Sequence, residues 1–352
     1  MSADVGFAVV GLGMGRHHCR AVQMAPGARL VAVCDVDEAR LQPAARDFAC
    51  RAYTDFDALL ADPEVQVVNI ATPSGLHAQM GIQAAAAGKH LIVEKPADIV
   101  PARIDALMDA GRRHGVRIGG IFQSRLDPLN LRIRQAIQAG RLGSIYGVHG
   151  HLPWYRLQDY YEGTHGSWKG TWGMDGGGSL MNQGVHTVDL LQWLVGRVES
   201  VMGMFGIFGH QIEAEDQTCA LLRFANGAIG TLYTTTACYP GYDQQITIYG
   251  ARGSVLKQEG LLRGWKMMDD PDGTEEQELL SFYGEKKAGT GSSDPMAVSF
   301  DGHTQIICDM VAAVREGRDP MIGLDSARHA VEIITAIYES GRTGREVKVG
   351  VN

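Results

Sequence analysis

The chain has no run of about eighteen consecutive apolar residues, so nothing in it reads as a membrane-spanning helix. Its start, MSADV, passes straight into a strand pattern without the basic and apolar regions of a secretory leader. The six cysteines (Cys19, Cys34, Cys50, Cys219, Cys238 and Cys308) include no C-x-x-C pair, which argues for free thiols in a reducing compartment and against a disulfide framework. His17-His18 and His149-x-His151 are the close histidine pairs, and neither has a cysteine or carboxylate at ligand spacing, so no metal is expected. There is no block of like charge: 32 Lys and Arg against 40 Asp and Glu leave −8, which disfavours nucleic acid and anionic membrane as partners. G-x-S-x-G, P-loop and kinase signatures are missing, and no internal repeat is visible. What remains reads as a cytoplasmic protein of 352 residues, 45% hydrophobic and 20% charged, long enough for two folded domains.

What is present is organised around residues 7–37, FAVVGLGMGRHHCRAVQMAPGARLVAVCDVD. An apolar run meets Gly11, Gly13, Met14 and Gly15, then a helical segment, then a second apolar run ending on Asp35. Strand, glycine turn, helix, strand and acid is the order that seats a pyrophosphate on backbone N–H groups at a helix N-terminus. Asp35 is placed to accept hydrogen bonds from ribose hydroxyls, and its charge would repel a 2′-phosphate, so the expected cofactor is NAD rather than NADP. A strict G-x-G-x-x-G would need glycine at 16, where this chain has Arg16.

Through residue 123 apolar runs (7–10, 30–33, 65–71, 91–93 and 116–122) alternate with helical patterns, as in a parallel sheet covered on both faces. Ligands bind beyond the carboxyl ends of such strands, where Gly11, Asp35, Thr72, Pro73, Glu94, Lys95, Pro96 and Gln123 fall. From 124 onward come a helix at 127–139, a strand at 144–151, an apolar helix at 179–195 and several alternating strands between 199 and 258, then helices at 299–316 and 326–340. Turns such as Ala225-Asn226-Gly227 point to an antiparallel sheet. The expected fold is thus an α/β Rossmann domain over 1–123 and an α+β domain over 124–352, whose large, mostly antiparallel open sheet offers an oligomer interface. Residues 285–294, EKKAGTGSSD, read as a mobile loop.

Three stretches can carry chemistry. Lys95 leaves a buried strand where the nicotinamide should lie, and its ammonium could stabilise a developing alkoxide; the alternative is a surface lysine at a strand end. On a helix starting near Ser179, Asn182, His186 and Asp189 share one face of an apolar segment, so they either line a pocket or form an internal network. The loop 153–172 holds Trp154, Tyr155, Tyr160, Tyr161, Trp168 and Trp172 with Arg156, His165 and Lys169 between them, which suits stacking on a sugar ring or packing between domains or subunits.

The glycine turn with Asp35, the run TPSGLHAQMGIQAAAAGKHLIVEKP (72–96) and GGGSLMNQGVHTVD together resemble the Gfo/Idh/MocA family of sugar and cyclitol oxidoreductases. The resemblance implies dimers or tetramers built on the second sheet, and NAD held by Gly11, Gly13, Gly15 and Asp35. Thr72, Pro73 and His77 would border the cofactor, with Glu94 and Lys95 beside nicotinamide and substrate. His186 matches the family's catalytic histidine; four residues earlier, many members have an aspartate where this chain has Asn182. The expected activity is hydride transfer between a secondary alcohol of a sugar or cyclitol and nicotinamide. The catalytic set would be Lys95, His186 and Asn182, and Trp154, Tyr155, Trp168 and Trp172 would help to bind substrate. The rivals are an NAD-dependent glycoside hydrolase working through transient C3 oxidation, and a non-catalytic NAD- or sugar-binding sensor.

Overall fold

The structure, a computed structural model, describes residues 3–285 and 301–350. The expected loop at 285–294, apart from Glu285, and the His165 side chain lie outside the described residues. Two compact units divide the chain. The first comprises Met1–Gln123, Gly173–Asp175 and Ser299–Arg328, the second Ser124–Trp172, Gly176–Val298 and His329–Asn352. Residues 299–328 therefore join the first unit, a departure from a single boundary at 123.

The first unit is built on six parallel strands: β1 (Val5–Val10), β2 (Ala28–Cys34), β3 (Arg51–Tyr53), β4 (Val67–Ile70), β5 (His90–Val93) and β6 (Ile118–Gly120), in spatial order β3-β2-β1-β4-β5-β6. Every residue of β1 and β4 is buried, as in strands covered on both faces, with Asn69 the one polar side chain among them. The covering helices in this part of the chain are α1 (Gly15–Met24), α2 (Glu38–Asp47), α3 (Phe56–Leu60), α4 (His77–Ala86) and α5 (Pro101–His114). Local signals set their ends: Asp37 caps α2, and α5 runs from Pro101 to the left-handed Gly115. One core cluster joins Val9, Cys19, Val33 and Leu41, tying α1 and α2 to β1 and β2. The strand order reverses between β1 and β4, which opens the ligand crevice of a doubly wound sheet at their carboxyl ends.

The second unit contains α6 (Pro128–Gln138), β7 (Ile145–Pro153), the single turn α7 (Gly163–Gly166) and α8 (Val185–Val195). Beyond α8 lie β8 (Val198–Gly206), β9 (Gln217–Phe224), β10 (Ile229–Thr235), β11 (Gln245–Gly250), β12 (Gly253–Gln258), β13 (Leu261–Met267), α9 (Thr274–Tyr283) and β14 (Val347–Lys348). The eight strands run in the order β13-β12-β11-β7-β10-β9-β8-β14; β7 and β10 pair in parallel and every other pair is antiparallel. Strict alternation of buried and exposed residues along β9 shows one face covered and one open. Of the two last helices, α10 (Asp301–Glu316) lies in the first unit with Met310 against Gly119, while α11 (Leu324–Thr343) starts there and runs on into the second, where Ile337 packs on Gly203.

Asp189, expected on a polar stripe with Asn182 and His186, takes the internal-network option. Its carboxylate is gripped at both oxygens by the Arg125 guanidinium, with Nε to Oδ2 at 2.8 Å and Nη2 to Oδ1, and both side chains are buried. Burial pushes the Asp189 carboxyl above its usual range, and the Arg125 hydrogen bonds offset only part of that rise. Truncating one partner strands the other charge in the interior. Asp189→Leu should therefore cost about 3–5 kcal/mol in urea unfolding, and Arg125→Met with Asp189→Leu should recover most of it.

Candidate active site

The three glycines of the first βα turn are each used differently. Gly11 sits at φ +85°, and a Cβ there would meet the Ala71 carbonyl oxygen at 2.6 Å, so the turn hugs the end of β4. A Cβ on Gly15 would come within 2.9 Å of Val9, so α1 packs directly on β1. A Cβ on Gly13 would meet nothing within 4 Å, leaving the backbone there open to a ligand. Asp35 fixes this loop: its Oδ2 accepts the Leu12 N–H at 2.7 Å and its Oδ1 the Asp37 N–H at 2.9 Å, with lone pairs left for hydroxyl donors. Met14 is 40% exposed at the N-terminus of α1. Arg16, the departure from a strict glycine pattern, is engaged by Asp47 at 2.6 Å and lies over Phe48. The donor-rich loop, the open face at Gly13 and the acid at the end of β2 fit a dinucleotide. Among the described residues, Thr72 Oγ1 and Gln123 Oε1 are buried polar atoms at the same strand ends with no protein partner, as a site for a polar ligand would have.

At the end of β5 the Glu94 carboxylate is buried. Its Oε1 accepts from His18 Nε2 at 3.0 Å, His303 Nε2 lies 3.8 Å from the same oxygen, and Oε2 accepts the Lys95 N–H at 2.7 Å. Burial alone would raise the Glu94 carboxyl; the hydrogen bond from His18 and the neighbouring His303 ring outweigh it and hold the group well below the usual carboxylate range. Lys95 itself is half-buried, and the peptide between it and Pro96 is cis. His77 is buried too, with Nδ1 2.7 Å from the Pro96 carbonyl oxygen and Nε2 2.8 Å from that of Thr72, so it ties two strand ends together. His18 thus has a carboxylate and a second histidine beside it after all, supplied by distant parts of the sequence.

In the second unit, the segment expected to begin a regular α-helix is a π-helix, Ser179–Gly184, and α8 follows from Val185. The glycines before it exist for close approach: a Cβ on Gly178 would lie 1.9 Å from the Glu215 carbonyl oxygen, and one on Gly177 2.1 Å from the Tyr338 hydroxyl. Buried Glu215 anchors the turn. Its Oε1 accepts the N–H groups of Gly178 (3.0 Å) and Leu180 (2.9 Å) and the Tyr338 hydroxyl (2.7 Å), and its Oε2 the Ser179 hydroxyl (2.6 Å). His186 stands half-buried in the first turn of α8. Asn182 Oδ1 accepts from Gln183 Nε2 at 3.2 Å, and the same amide donates to the Tyr160 hydroxyl at 2.7 Å.

The aromatic loop divides. Tyr160 lies under Lys169 Nζ (3.7 Å to the ring centroid) and the Arg156 guanidinium (5.6 Å), and Arg156 also covers Trp154 at 4.9 Å. Tyr155 meets Tyr239 edge-on. Trp172 packs against Phe205 and Tyr338 beneath Arg342, a structural cluster, while the Trp168 carbonyl oxygen accepts from the Thr171 hydroxyl. Asn182 and Trp154 thus gather around Tyr160, with Gln183, Arg156 and Lys169; Tyr155, Trp168 and Trp172 do not. Sequence reasoning missed the parts played by Gln183, Glu215 and His303. The glycine run ahead of the turn was the one signal that something large and buried approaches there.

Residues 5–121 match the family profile described as an oxidoreductase family with an NAD-binding Rossmann fold, and residues 130–256 match the Gfo/Idh/MocA C-terminal domain. The class is thus an NAD-binding oxidoreductase. The chain belongs to the Gfo/Idh/MocA family. Over its whole length it is similar, at 32% identity and a TM-score of 0.88, to the WlbA dehydrogenase of Bordetella pertussis, solved with NADH and UDP-GlcNAcA, of which it covers 99%. It is 23% identical to myo-inositol 2-dehydrogenase of Thermotoga maritima, with 97% of each chain covered. To scyllo-inositol 2-dehydrogenase (NAD(+)) of Bacillus subtilis it is 29% identical over 73% of this chain and 74% of that one.

Two outcomes follow from this geometry. Gly13→Ala should leave thermal stability unchanged and weaken NAD binding at least about tenfold by calorimetry, whereas Gly11→Ala, strained at positive φ, should cost about 1–3 kcal/mol of stability as well. The second concerns His210, whose Nδ1 faces Asp216 Oδ2 at 3.0 Å and whose Nε2 faces the Arg156 carbonyl oxygen at 2.8 Å. Burial would lower its proton affinity, but the Asp216 and Arg156 hydrogen bonds reverse this and leave it raised. A raised folded value means the stabilisation is complete below the ordinary histidine range and fades as pH climbs through the raised one. Backbone amides at 208–210, which Asp216 accepts, should lose exchange protection over that upward interval beyond the intrinsic pH effect, and His210→Gln should abolish the excess.

Proposed function

We propose that the protein is a dehydrogenase acting on a secondary alcohol of a sugar, sugar derivative or cyclitol, with Lys95 and His186 as its acid–base pair. NAD, when bound, supplies the acceptor for the hydride. His186 takes the hydroxyl proton; Lys95, a cation issuing from a rigid strand end, stabilises the negative charge that develops on the oxygen. Asn182 and Gln183 offer amide donors and acceptors for neighbouring hydroxyls, and Asn182 contributes no charge where many relatives have an aspartate. The observation that carries the reading is the built environment of Lys95: its backbone N–H is bonded to a carboxylate that is itself held buried and ionised at the ligand-bearing edge of the sheet. A sensor would need neither this lysine nor a histidine proton acceptor.

Tyr160 supports the carbohydrate reading, since a ring flanked by amide groups suits a sugar's C–H face and hydroxyls. Two cations over that ring favour, among pyranoses, one that also carries a carboxylate or phosphate. The similarity to a dehydrogenase solved with a nucleotide sugar points the same way. The open face of the eight-stranded sheet exposes Met202, Met204, Leu221 and Ile229, which supports a homodimer or homotetramer joined there. Six free cysteines support a reducing, cytoplasmic setting, and no described helix is long and apolar enough to cross a membrane.

The test is a panel of free sugars, uronic acids, inositols and nucleotide sugars with NAD and NADP, read at 340 nm. NADH should accumulate with at least one member, NAD should be preferred through Asp35, and Lys95→Ala and His186→Ala should each lower kcat by about 10² to 10⁴. Near-normal turnover by either variant refutes the pair. Product release from an aryl glycoside without net NADH would transfer the assignment to the glycoside hydrolase.

A further inference from the structure

Glu94 carries a buried charge at the first unit's ligand-bearing edge, and the dehydrogenase chemistry gives it no direct task. Its surroundings are specific. Asn69 on β4 donates from Nδ2 to His18 Nδ1 at 3.4 Å, which leaves His18 Nε2 as the protonated nitrogen that donates to Glu94 Oε1. His18 is buried and its proton affinity is lowered, first by burial, so the ring donates as a neutral imidazole to an ionised carboxylate. His303 from α10 stands edge-on to His18, with ring centroids 5.3 Å apart, and brings its Nε2 to the same oxygen. The opposite oxygen holds the Lys95 N–H, and the Lys95 ammonium is among the charges that keep Glu94 ionised. The other titratable groups near this cluster are His17 and Arg20 on α1 and His77 on α4.

We propose that Asn69, His18, Glu94 and His303 form a positioning relay for Lys95: two imidazoles hold a buried carboxylate ionised, and that carboxylate fixes the lysine's backbone and supplies the counter-charge that keeps its ammonium protonated. The relay rests on the reading of Lys95 as the working cation. A charge interaction is reciprocal, so what Lys95 does to Glu94 Glu94 must do to Lys95. The three-residue cluster also has the composition of a metal site, its ligand atoms lying within 4.8 Å of one another. The direct hydrogen bond from His18 to Glu94, backed by Asn69, instead satisfies His18 and the shared carboxylate oxygen without an ion.

The experiment needs no substrate. The full-length protein is treated with trinitrobenzenesulfonate between pH 7 and 11, and modification of Lys95, which proceeds through the neutral amine, is quantified by peptide mass spectrometry. In Glu94→Gln the midpoint of the profile should move to lower pH, raising the rate at pH 8 by about 3- to 10-fold while the plateau rate at high pH is unchanged. A change of access alone would scale the rate equally at every pH. His303→Leu should shift the midpoint in the same direction by less, and His303→Gln, which keeps an N–H donor, should restore it; these two carry the test if Glu94→Gln fails to fold by circular dichroism. An unmoved midpoint in a folded Glu94→Gln or His303→Leu protein overturns the relay. So does one equivalent of a divalent metal in the purified protein that disappears in Glu94→Gln. A protein with the midpoint shift but no activity on the sugar panel would sink the dehydrogenase reading and leave the relay standing.

Discussion

Buried carboxylates that accept backbone N–H groups hold four loops in or beside the stretches that carry candidate functional groups. Asp35 takes the N–H of Leu12 in the glycine turn, Glu94 that of Lys95, Glu215 those of Gly178 and Leu180 ahead of the π-turn, and Asp216 those of Phe208, Gly209 and His210. An isolated carboxylate taken out of water is costly, so each persists only because several charge-assisted donors converge on it. The converse matters more for function. A loop bonded to such an anchor cannot relax without exposing the anchor's own unmet charge, so the backbone of each loop is held in one conformation.

The anchors differ in how far the balance has swung. At Glu94 the donors outweigh burial and the group stays ionised, whereas at Glu215 burial wins despite four donors and the carboxyl is raised. That difference follows the donor chemistry. The Glu215 partners are neutral hydroxyls and amides, while Glu94 has two imidazoles and a lysine around it. A raised Glu215 serves a structural turn well enough, because its two oxygens still accept the four donors that hold the turn. Beside Lys95 the same outcome would remove the counter-charge, and there the lysine's own charge is among the groups that keep Glu94 ionised.

The parallel sheet was legible because fully buried strands such as β1 and β4 have to be written as predominantly apolar runs, and the glycine turn because its backbone geometry tolerates few other residues. What escaped notice lacked a local signature. β3 and β14 are three and two residues long, and β13 is interrupted by Arg263, Gly264 and Lys266, so none shows a run or a clean alternation. Assigning 299–328 to the second domain followed from chain order alone; what places α10 in the first unit is side-chain packing such as Met310 on Gly119. The polar stripe on the apolar helix was read with a regular 3.6-residue repeat, and the π-helix at Ser179–Gly184 breaks that repeat between Asn182 and His186.

The irregular turn accounts for the separate fates of the stripe's three members. A π-turn carries one extra residue per hydrogen-bonded ring, so the side chains on either side of it are rotated relative to a continuous α-helix. Asp189, a full turn into regular α8, faces the protein interior, where Arg125 on the approach to α6 can grip it at both oxygens. Asn182, inside the turn, is held instead by Gln183 and through it by Tyr160. His186, just after the turn, is neither fully buried nor fully exposed. One face of a straight helix would have committed all three to the same environment. The glycine run and the Glu215 anchor maintain the local irregularity that separates a buried structural carboxylate from a half-buried histidine, within a segment only eight residues long.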